Sequence, residues 1–355
     1  MTARQATHRT VRALRALGVA GLLATAAASA GAQEAREAQQ QAPPFPQWLA
    51  DLRAEAEAQG IGAEILDSAL TGLEPDPKVI ELDRRQPEFT QTYEQYLTAR
   101  VSETRVNRGR EMMAAHADTL GSVAGAYGVQ PRFIVAIWGM ETNYGSFTGG
   151  MDVIRSLATL AWDRRRHAYF RSELLNALKI LEQGHIARAD MKGSWAGAMG
   201  HGQFMPSSFL EYAQDFDGDG RRDIWTNTAD VFASIANYLK RFRWRDDMTW
   251  GRRVLLPADF AAHEERIAPD GPPRSCRRAL RHHSRQLDLA EWQALGVRRL
   301  SGTDLPTRQF KASLVRPGGA DGPAYLTYGN FRSVLRYNCS NFYALAVGHL
   351  ADRLR

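Results

Sequence analysis

Pro131-Arg132-Phe133-Ile134-Val135-Ala136-Ile137-Trp138-Gly139-Met140-Glu141-Thr142-Asn143-Tyr144-Gly145 reads as an apolar helix that ends in a carboxylate. Phe133, Ile134, Ile137 and Trp138 recur at helical spacing, so Glu141 falls one turn beyond Ile137 on the buried side. A carboxyl placed there is poorly solvated and close to the negative end of the helix dipole. Both effects favour the protonated acid near neutral pH. A proton-donating carboxyl at the edge of an apolar wall suits glycosidic bond cleavage. The same residue could simply end a helix and point into water, and this segment alone leaves both readings open.

The rest of the chain bounds what surrounds that helix. With 355 residues and 44% hydrophobic content it can bury a sizeable core in one large or two modest domains. Its formal charge of +6 owes much to Arg4, Arg9, Arg12 and Arg15, with no acid before Glu34. A short, weakly apolar run from Ala16 to Ala28 follows, then Ala28-Ser29-Ala30 and Ala30-Gly31-Ala32. A basic start, a short apolar middle and a small-x-small exit predict a secretory signal peptide over 1–32. The run is too short to span a bilayer well, and no Cys at the junction points to a lipid anchor. Without those four arginines, 41 bases face 39 acids, which argues against nucleic acid as the main partner. Cys276 and Cys339 fit an oxidising compartment and match no zinc spacing. They could form one long-range disulfide or remain two buried thiols.

Residues 33–46, rich in Gln, Ala and Pro, read as a flexible lead-in. From there to about 250 the periodicity is helical, as in Phe170, Leu174, Ala177, Leu178 and Leu181, or Val231, Ile235, Tyr238 and Leu239. After Trp250, short runs parted by Pro and Gly (Arg252 to Leu256, Val297 to Leu300, Gln309 to Val315, Tyr325 to Tyr328) read as strands. A last helix, Phe342 to Leu354, would pack Tyr343, Ala346, Val347 and Leu350 back on the helical part. The predicted fold is mainly α, of the α+β type: a helical domain over 47–250, a β-rich insertion over 251–330 and a returning C-terminal segment over 331–355.

Two further segments carry chemistry. Gly193-Ser194-Trp195-Ala196-Gly197-Ala198-Met199-Gly200-His201-Gly202-Gln203-Phe204-Met205-Pro206-Ser207-Ser208 is a small-residue loop whose backbone could lie close to something flat, such as a sugar ring. Ser194 and Gln203 would offer hydrogen bonds to hydroxyl or acetamido groups, although a tight structural loop reads the same way. Asp215-Phe216-Asp217-Gly218-Asp219-Gly220 opens like a calcium loop, with carboxylates at positions one, three and five and glycine at six. Asp223 falls at the ninth position and Arg221 where a backbone carbonyl is expected, but the twelfth position, Thr226, is not an acid. Arg164-Arg165-Arg166-His167 reads as a solvated helix face, and His282-His283 has no partner at zinc spacing.

Glu141 to Gly145, Gly193 to Ser208, Asp215 to Gly220 and Tyr337-Asn338-Cys339-Ser340-Asn341-Phe342-Tyr343-Ala344 together resemble the lytic murein transglycosylase B family, in its order and approximate separations. The resemblance runs from about Phe45 to the C-terminus. It implies a lysozyme-like helical catalytic domain that binds peptidoglycan glycan strands and cleaves the β-1,4 bond between N-acetylmuramic acid and N-acetylglucosamine, leaving a 1,6-anhydro end. Glu141 would then act alone as acid and base, with the substrate's acetamido oxygen stabilising the cationic centre. Ser194, Gln203 and Tyr238 match groove positions, and Tyr337 and Asn338 match a pair that contacts the muramic residue. Tyr238 could equally be a core aromatic, and Asn338 or Ser340 a helix cap. The family closes the calcium loop late, which nominates Asp230 beside Asp215, Asp217, Asp219, Arg221 and Asp223. The implied chemistry needs no cofactor, calcium being a structural ion. The implied setting is periplasmic, as a monomer, alone or within cell-wall enzyme complexes. Some relatives carry an added peptidoglycan-binding module, and none is expected after Arg355.

Overall fold

The computed structural model describes residues 43–85 and 91–355; the expected signal peptide and residues 33–42 of the lead-in lie outside them. Helix α1 (Phe45–Ala58) starts two residues inside the expected lead-in. Pro46 sits in its first turn, where a missing N–H leaves no bond unmade, and Phe45 packs its ring against Trp48 and Trp162. Then come α2 (Ala63–Leu70), α3 (Pro77–Arg84), α4 (Tyr93–Arg100), α5 (Glu103–Ala115), α6 (Ala117–Tyr127) and α7 (Pro131–Thr142). Local chemistry sets several of these ends. Thr92 and Gln95 form a capping box at α4, Ser102 caps α5, and Gly128 ends α6 in the left-handed region.

The helical part continues through β1 (Met151–Asp152), α8 (Val153–Trp162), α9 (His167–Glu182), β2 (Lys192–Gly193), α10 (Pro206–Tyr212) and α11 (Thr228–Arg241), with β1 and β2 pairing antiparallel. Arg165 and Arg166, expected on a solvated face, instead converge on Asp83, whose carboxylate is 1% exposed. A charge so buried needs compensation, and the two guanidiniums supply it.

Beyond Trp250 the chain forms β3 (Gly251–Leu255), the one-turn helices α12 (Glu264–Ile267) and α13 (Arg277–Leu280), β4 (Leu287–Asp288), α14 (Leu289–Ala294), β5 (Arg298–Arg299), β6 (Lys311–Val315) and β7 (Ala324–Thr327). The five strands make one antiparallel sheet in the order β4-β6-β7-β3-β5. It buries its own cluster around Trp292, Leu314, Leu326 and Tyr328, separate from the helical core. Two residues of β4 were not foreseen, because so short a strand has no period to read. The fold is thus mainly α with a small antiparallel β part, as expected.

The chain closes with α15 (Gly329–Tyr337) and α16 (Asn341–Arg353). Helix α16 lies against α7 and α4. Arg132 of α7 pairs with Asp352 of α16 at 2.7 Å, and the other Asp352 oxygen accepts from Trp250 Nε1 at 3.0 Å. Cys276 and Cys339, 63 residues apart, are paired, so the insertion is tied to the turn between α15 and α16.

Candidate active site

Glu141 is the penultimate residue of α7, half-buried, and the helix stops immediately beyond it. Asn143 and Tyr144 both take positive φ, 50° and 61°, which is uncommon for non-glycine residues and unfavourable unless the surroundings enforce it. Tyr144 shows the enforcement. Its hydroxyl donates to the Arg105 carbonyl at 2.7 Å, and its ring lies where a Cβ on Gly109 or Gly139 would collide at 2.5 Å. The turn after Glu141 is therefore locked against the helices on either side of it.

The carboxyl itself is held from α16. Tyr343 donates its hydroxyl to Glu141 Oε1 at 2.5 Å. Burial pushes the Glu141 carboxyl up to about 7, against the opposing pull of the Tyr343 hydrogen bond and the positive charge of Arg100. Near neutral pH the acid is therefore substantially protonated. Because Oε1 accepts from Tyr343, the proton belongs on Oε2. Burial beside the Glu141 charge also pushes the hydroxyls of Tyr343 and Tyr337 far up, so both stay neutral donors.

The glycine-rich loop 193–208 forms the facing wall, and its glycines answer to protein rather than to an open surface. Gly200 has φ +63°, and a Cβ there would meet the Ile224 carbonyl oxygen at 2.5 Å. The loop docks on α7 through three contacts. Thr142 Oγ1 donates to the His201 carbonyl at 3.0 Å, Trp138 Nε1 donates to His201 Nδ1 at 3.1 Å, and the His201 ring stacks on Trp138. Gly145, with φ +79°, leaves room for that imidazole, since a Cβ would come within 2.4 Å of it. His201 accepts at Nδ1, and burial lowers its pKa, so it serves as a neutral brace.

The other nominated residues fall on both sides of this arrangement. The Ser194 hydroxyl accepts from the amides of Ala198 (3.0 Å) and Ala196 (3.3 Å), bracing the loop. Gln203, at φ 49°, donates from Nε2 to the carbonyls of Thr148 and Gly200, each at 3.0 Å, which leaves Oε1 as its open acceptor. Tyr337 donates to the Gly202 carbonyl at 2.6 Å and so ties the end of α15 to the loop. Asn338 is exposed, and its side chain bonds to none of the described residues. Tyr238 is 8% exposed, donates to the Arg336 carbonyl and packs against Tyr337 with ring centroids 4.8 Å apart. It backs the site through that ring. Ser340, not Asn338, caps α16.

Below the loop, Asp215, Asp217 and Asp230 bring carboxylate oxygens within 4.8 Å of one another. Asp230 is fully buried and accepts from the amides of Phe216 and Asp223 at 2.7 Å. Burial, and repulsion from Asp217 and Asp215, raise its pKa. Asp219 turns to the amide and guanidinium of Arg221, and Asp223 caps the turn at Trp225 and Thr226, so both stand outside the cluster. Three converging carboxylates are a donor set suited to a hard cation.

A transglycosylase SLT domain model matches residues 44–352. The chain belongs to the SLT-domain lytic transglycosylase family. Membrane-bound lytic murein transglycosylase B of Escherichia coli K12 is 34% identical over 250 residues, covering 70% of this chain and 63% of that protein. The chain thus aligns to less than two thirds of that relative's length. Pseudomonas aeruginosa SltB3 in complex with NAG-anhNAM-pentapeptide is 46% identical, with a TM-score of 0.79 over 87% of this chain and 78% of that one. Escherichia coli lytic transglycosylase Slt35 in complex with calcium is 29% identical, with a TM-score of 0.69 over 88% and 92%. Within this family member, Tyr343 is the site residue that sequence reasoning cast only as packing. Its place in the Tyr337 to Ala344 block was the available signal, but its pairing with a carboxyl 202 residues away could not be read locally. No helix among the described residues is long and apolar enough to cross a membrane.

Proposed function

We propose that this protein, like its family, is a lytic transglycosylase of peptidoglycan, cleaving the β-1,4 bond between N-acetylmuramic acid and N-acetylglucosamine. The observation that carries the reading is Glu141 held by Tyr343, with burial lifting its pKa to about 7. Among the described residues, no second carboxylate bonds to it or perturbs its charge, whereas retaining hydrolysis requires a second carboxylate as nucleophile about 5 Å away. Glu141 Oε2 protonates the bridging oxygen as the muramic C1–O bond breaks, and the substrate's acetamido oxygen stabilises the cationic C1. The muramic 6-hydroxyl oxygen then bonds to C1, and its proton returns to Glu141, so no water is consumed and the residue is regenerated. Gln203 Oε1, Tyr337 and Asn338 line the sugar path, while Ser194 and Tyr238 support it from behind. The setting is the periplasm, reached by the N-terminal signal. Digestion of purified sacculi followed by mass spectrometry tests the reading. Products with 1,6-anhydromuramic ends, one water lighter than hydrolysis products, support it, and reducing ends would make the protein a hydrolase.

Tyr343→Phe removes one hydroxyl and keeps the ring. The bond it breaks stabilises the charged carboxylate, so the pKa of Glu141 should rise further. The alkaline limb of the pH–kcat profile should then move upward, with kcat down roughly 10-fold from lost orientation. An unmoved limb would show that Tyr343 does not touch the acid.

The acidic cluster suits calcium as a structural ion: Asp215, Asp217 and Asp230 would hold it, joined by the Arg221 carbonyl. Bound there, it would neutralise the cluster and fasten residues 215–230 beneath the glycine-rich loop. At a calcium concentration 100 times the dissociation constant, stabilisation is about 2.7 kcal/mol. Calcium should therefore raise Tm over EDTA for the native chain and leave Asp217→Asn unmoved. Equal Tm values with calcium and EDTA would rule the site out.

A further inference from the structure

Where the end of α11 meets α15, a cleft of about 230 Å³ opens that the proposed chemistry does not use. Phe242 and Leu335 are among its apolar walls, four arginines (Arg241, Arg243, Arg332 and Arg336) line it as well, and no acidic residue does. Among the described residues none of the four pairs with a carboxylate. Arg336 lies over the Phe242 ring, 4.7 Å from its centroid, and Arg332 donates to the Ser313 hydroxyl at 3.1 Å. Arg241 and Arg336 stand in the last turns of their helices, where the dipole favours a positive charge. That accounts for those two alone.

Arg243 and Arg332 need another cause. The Trp244 amide donates to the Leu239 carbonyl at 3.1 Å and the Arg243 amide to the Lys240 carbonyl at 3.0 Å. This is a Schellman termination of α11, and its left-handed position falls on Arg243, at φ 67°. Glycine suits that position because it has no Cβ to clash. An arginine there is held at a conformational cost, and its guanidinium lines the cleft. Arg332 is half-buried with one hydroxyl as partner, and a hydroxyl does not neutralise a cation. Burial lowers its pKa, and its remaining nitrogens are not sealed from solvent, so an anion entering the cleft would meet them.

The number of guanidiniums points to the class of anion. A carboxylate has one charge and two oxygens, which a single forked guanidinium satisfies. A phosphate ester carries about one to two charges and at least two strong acceptor oxygens, and arginine is the side chain that matches it with paired donors. The apolar walls favour a phosphate attached to an organic body over the free ion. We propose that the cleft between α11 and α15 binds a phosphate ester, such as a glycerophosphate or a lipid headgroup, through Arg241, Arg243, Arg332 and Arg336. The inference does not depend on the glycan reading.

The test titrates the native chain with glycerol 3-phosphate by calorimetry at physiological salt, beside Arg241→Gln/Arg243→Gly. Both side chains are exposed and glycine suits the backbone at 243, so the variant should keep the wild-type Tm. Wild type should bind saturably, and the variant should bind about tenfold more weakly or worse. Acetate should not displace the ligand; displacement at equal concentration would overturn the phosphate assignment. Vesicles of phosphatidylglycerol, with phosphatidylcholine as control, separate the sources. Cosedimentation of wild type with phosphatidylglycerol vesicles, lost in the variant, identifies a lipid headgroup, whereas binding of glycerol phosphate alone identifies a soluble ester. No binding of either probe by wild type, or binding undiminished in the variant, would overturn the inference.

Discussion

Glu141→Gln should lower kcat for anhydromuropeptide release by about 10³-fold or more, because one side chain serves as both acid and base, and each role contributes 10²-fold or more. The glutamine keeps shape and can still accept from Tyr343, so Asn143, Tyr144 and the docked loop should remain in place. Binding of sacculi should persist, which separates lost chemistry from lost fold. The pH behaviour follows from the same burial. Activity that needs the protonated acid falls as pH rises through about 7. For stability, the carboxyl is protonated in both folded and unfolded chains below its ordinary value of 4.5 and contributes no difference there. Between 4.5 and about 7 the unfolded chain releases its proton first, so the folded state loses stability as pH rises. Above about 7 the whole cost is present, on the order of 3 kcal/mol. Glu141→Gln removes it and should be more stable than wild type at pH 8, with the gap closing towards pH 4.5, as measured by urea denaturation. A variant with wild-type stability at pH 8 would mean that the carboxyl is not desolvated. Retained anhydro product formation would remove Glu141 from the reaction.

Removing the Cys276–Cys339 bridge is the second large effect. The bridge closes a 63-residue span, and the loss of denatured-chain entropy on closing such a loop is worth about 4 kcal/mol in the chain-entropy model. Cys276→Ser/Cys339→Ser, or reduction of the native protein, should lower unfolding free energy by about that amount. The kinetic consequence follows from position, because Cys339 directly follows Tyr337 and Asn338. Without the tie, the turn between α15 and α16 is held by Tyr337 on the Gly202 carbonyl, by the Ser340 cap and by the bonds of Asn341 to Ala279 and His283. KM for glycan strands should therefore rise, while the pH limb set by Glu141 stays where it was. A loss below about 1 kcal/mol would show that the insertion holds its place by packing alone.

Much of this was legible in one dimension. The apolar spacing of Phe133, Ile134, Ile137 and Trp138 placed Glu141 on a buried helix face, and burial is what shifts its proton affinity. The Asp215 to Gly220 run exposed Asp215 and Asp217 because they are neighbours in sequence, whereas Asp219 turned to Arg221 and the third converging carboxylate came from Asp230. The glycines of 193–208 announced close approach but not its object, which proved to be Ala198, Leu157, Ile224 and Tyr337 rather than open space. Arg165 and Arg166 read as a solvated face because Asp83, their partner, lies 82 and 83 residues away.

The sequence by itself determined the elements with local causes: amphipathic helices, their caps, the position of the acid within its helix and the carboxylates of the Asp loop. Only the tertiary structure decided which groups meet that acid. It brought Tyr343 to Glu141 across 202 residues, set Arg100 close enough to pull on the proton, and closed the disulfide. The division is physical. Periodicity and capping arise from interactions between residues a few positions apart, whereas desolvation and charge pairing depend on distances that exist only once distant segments have packed.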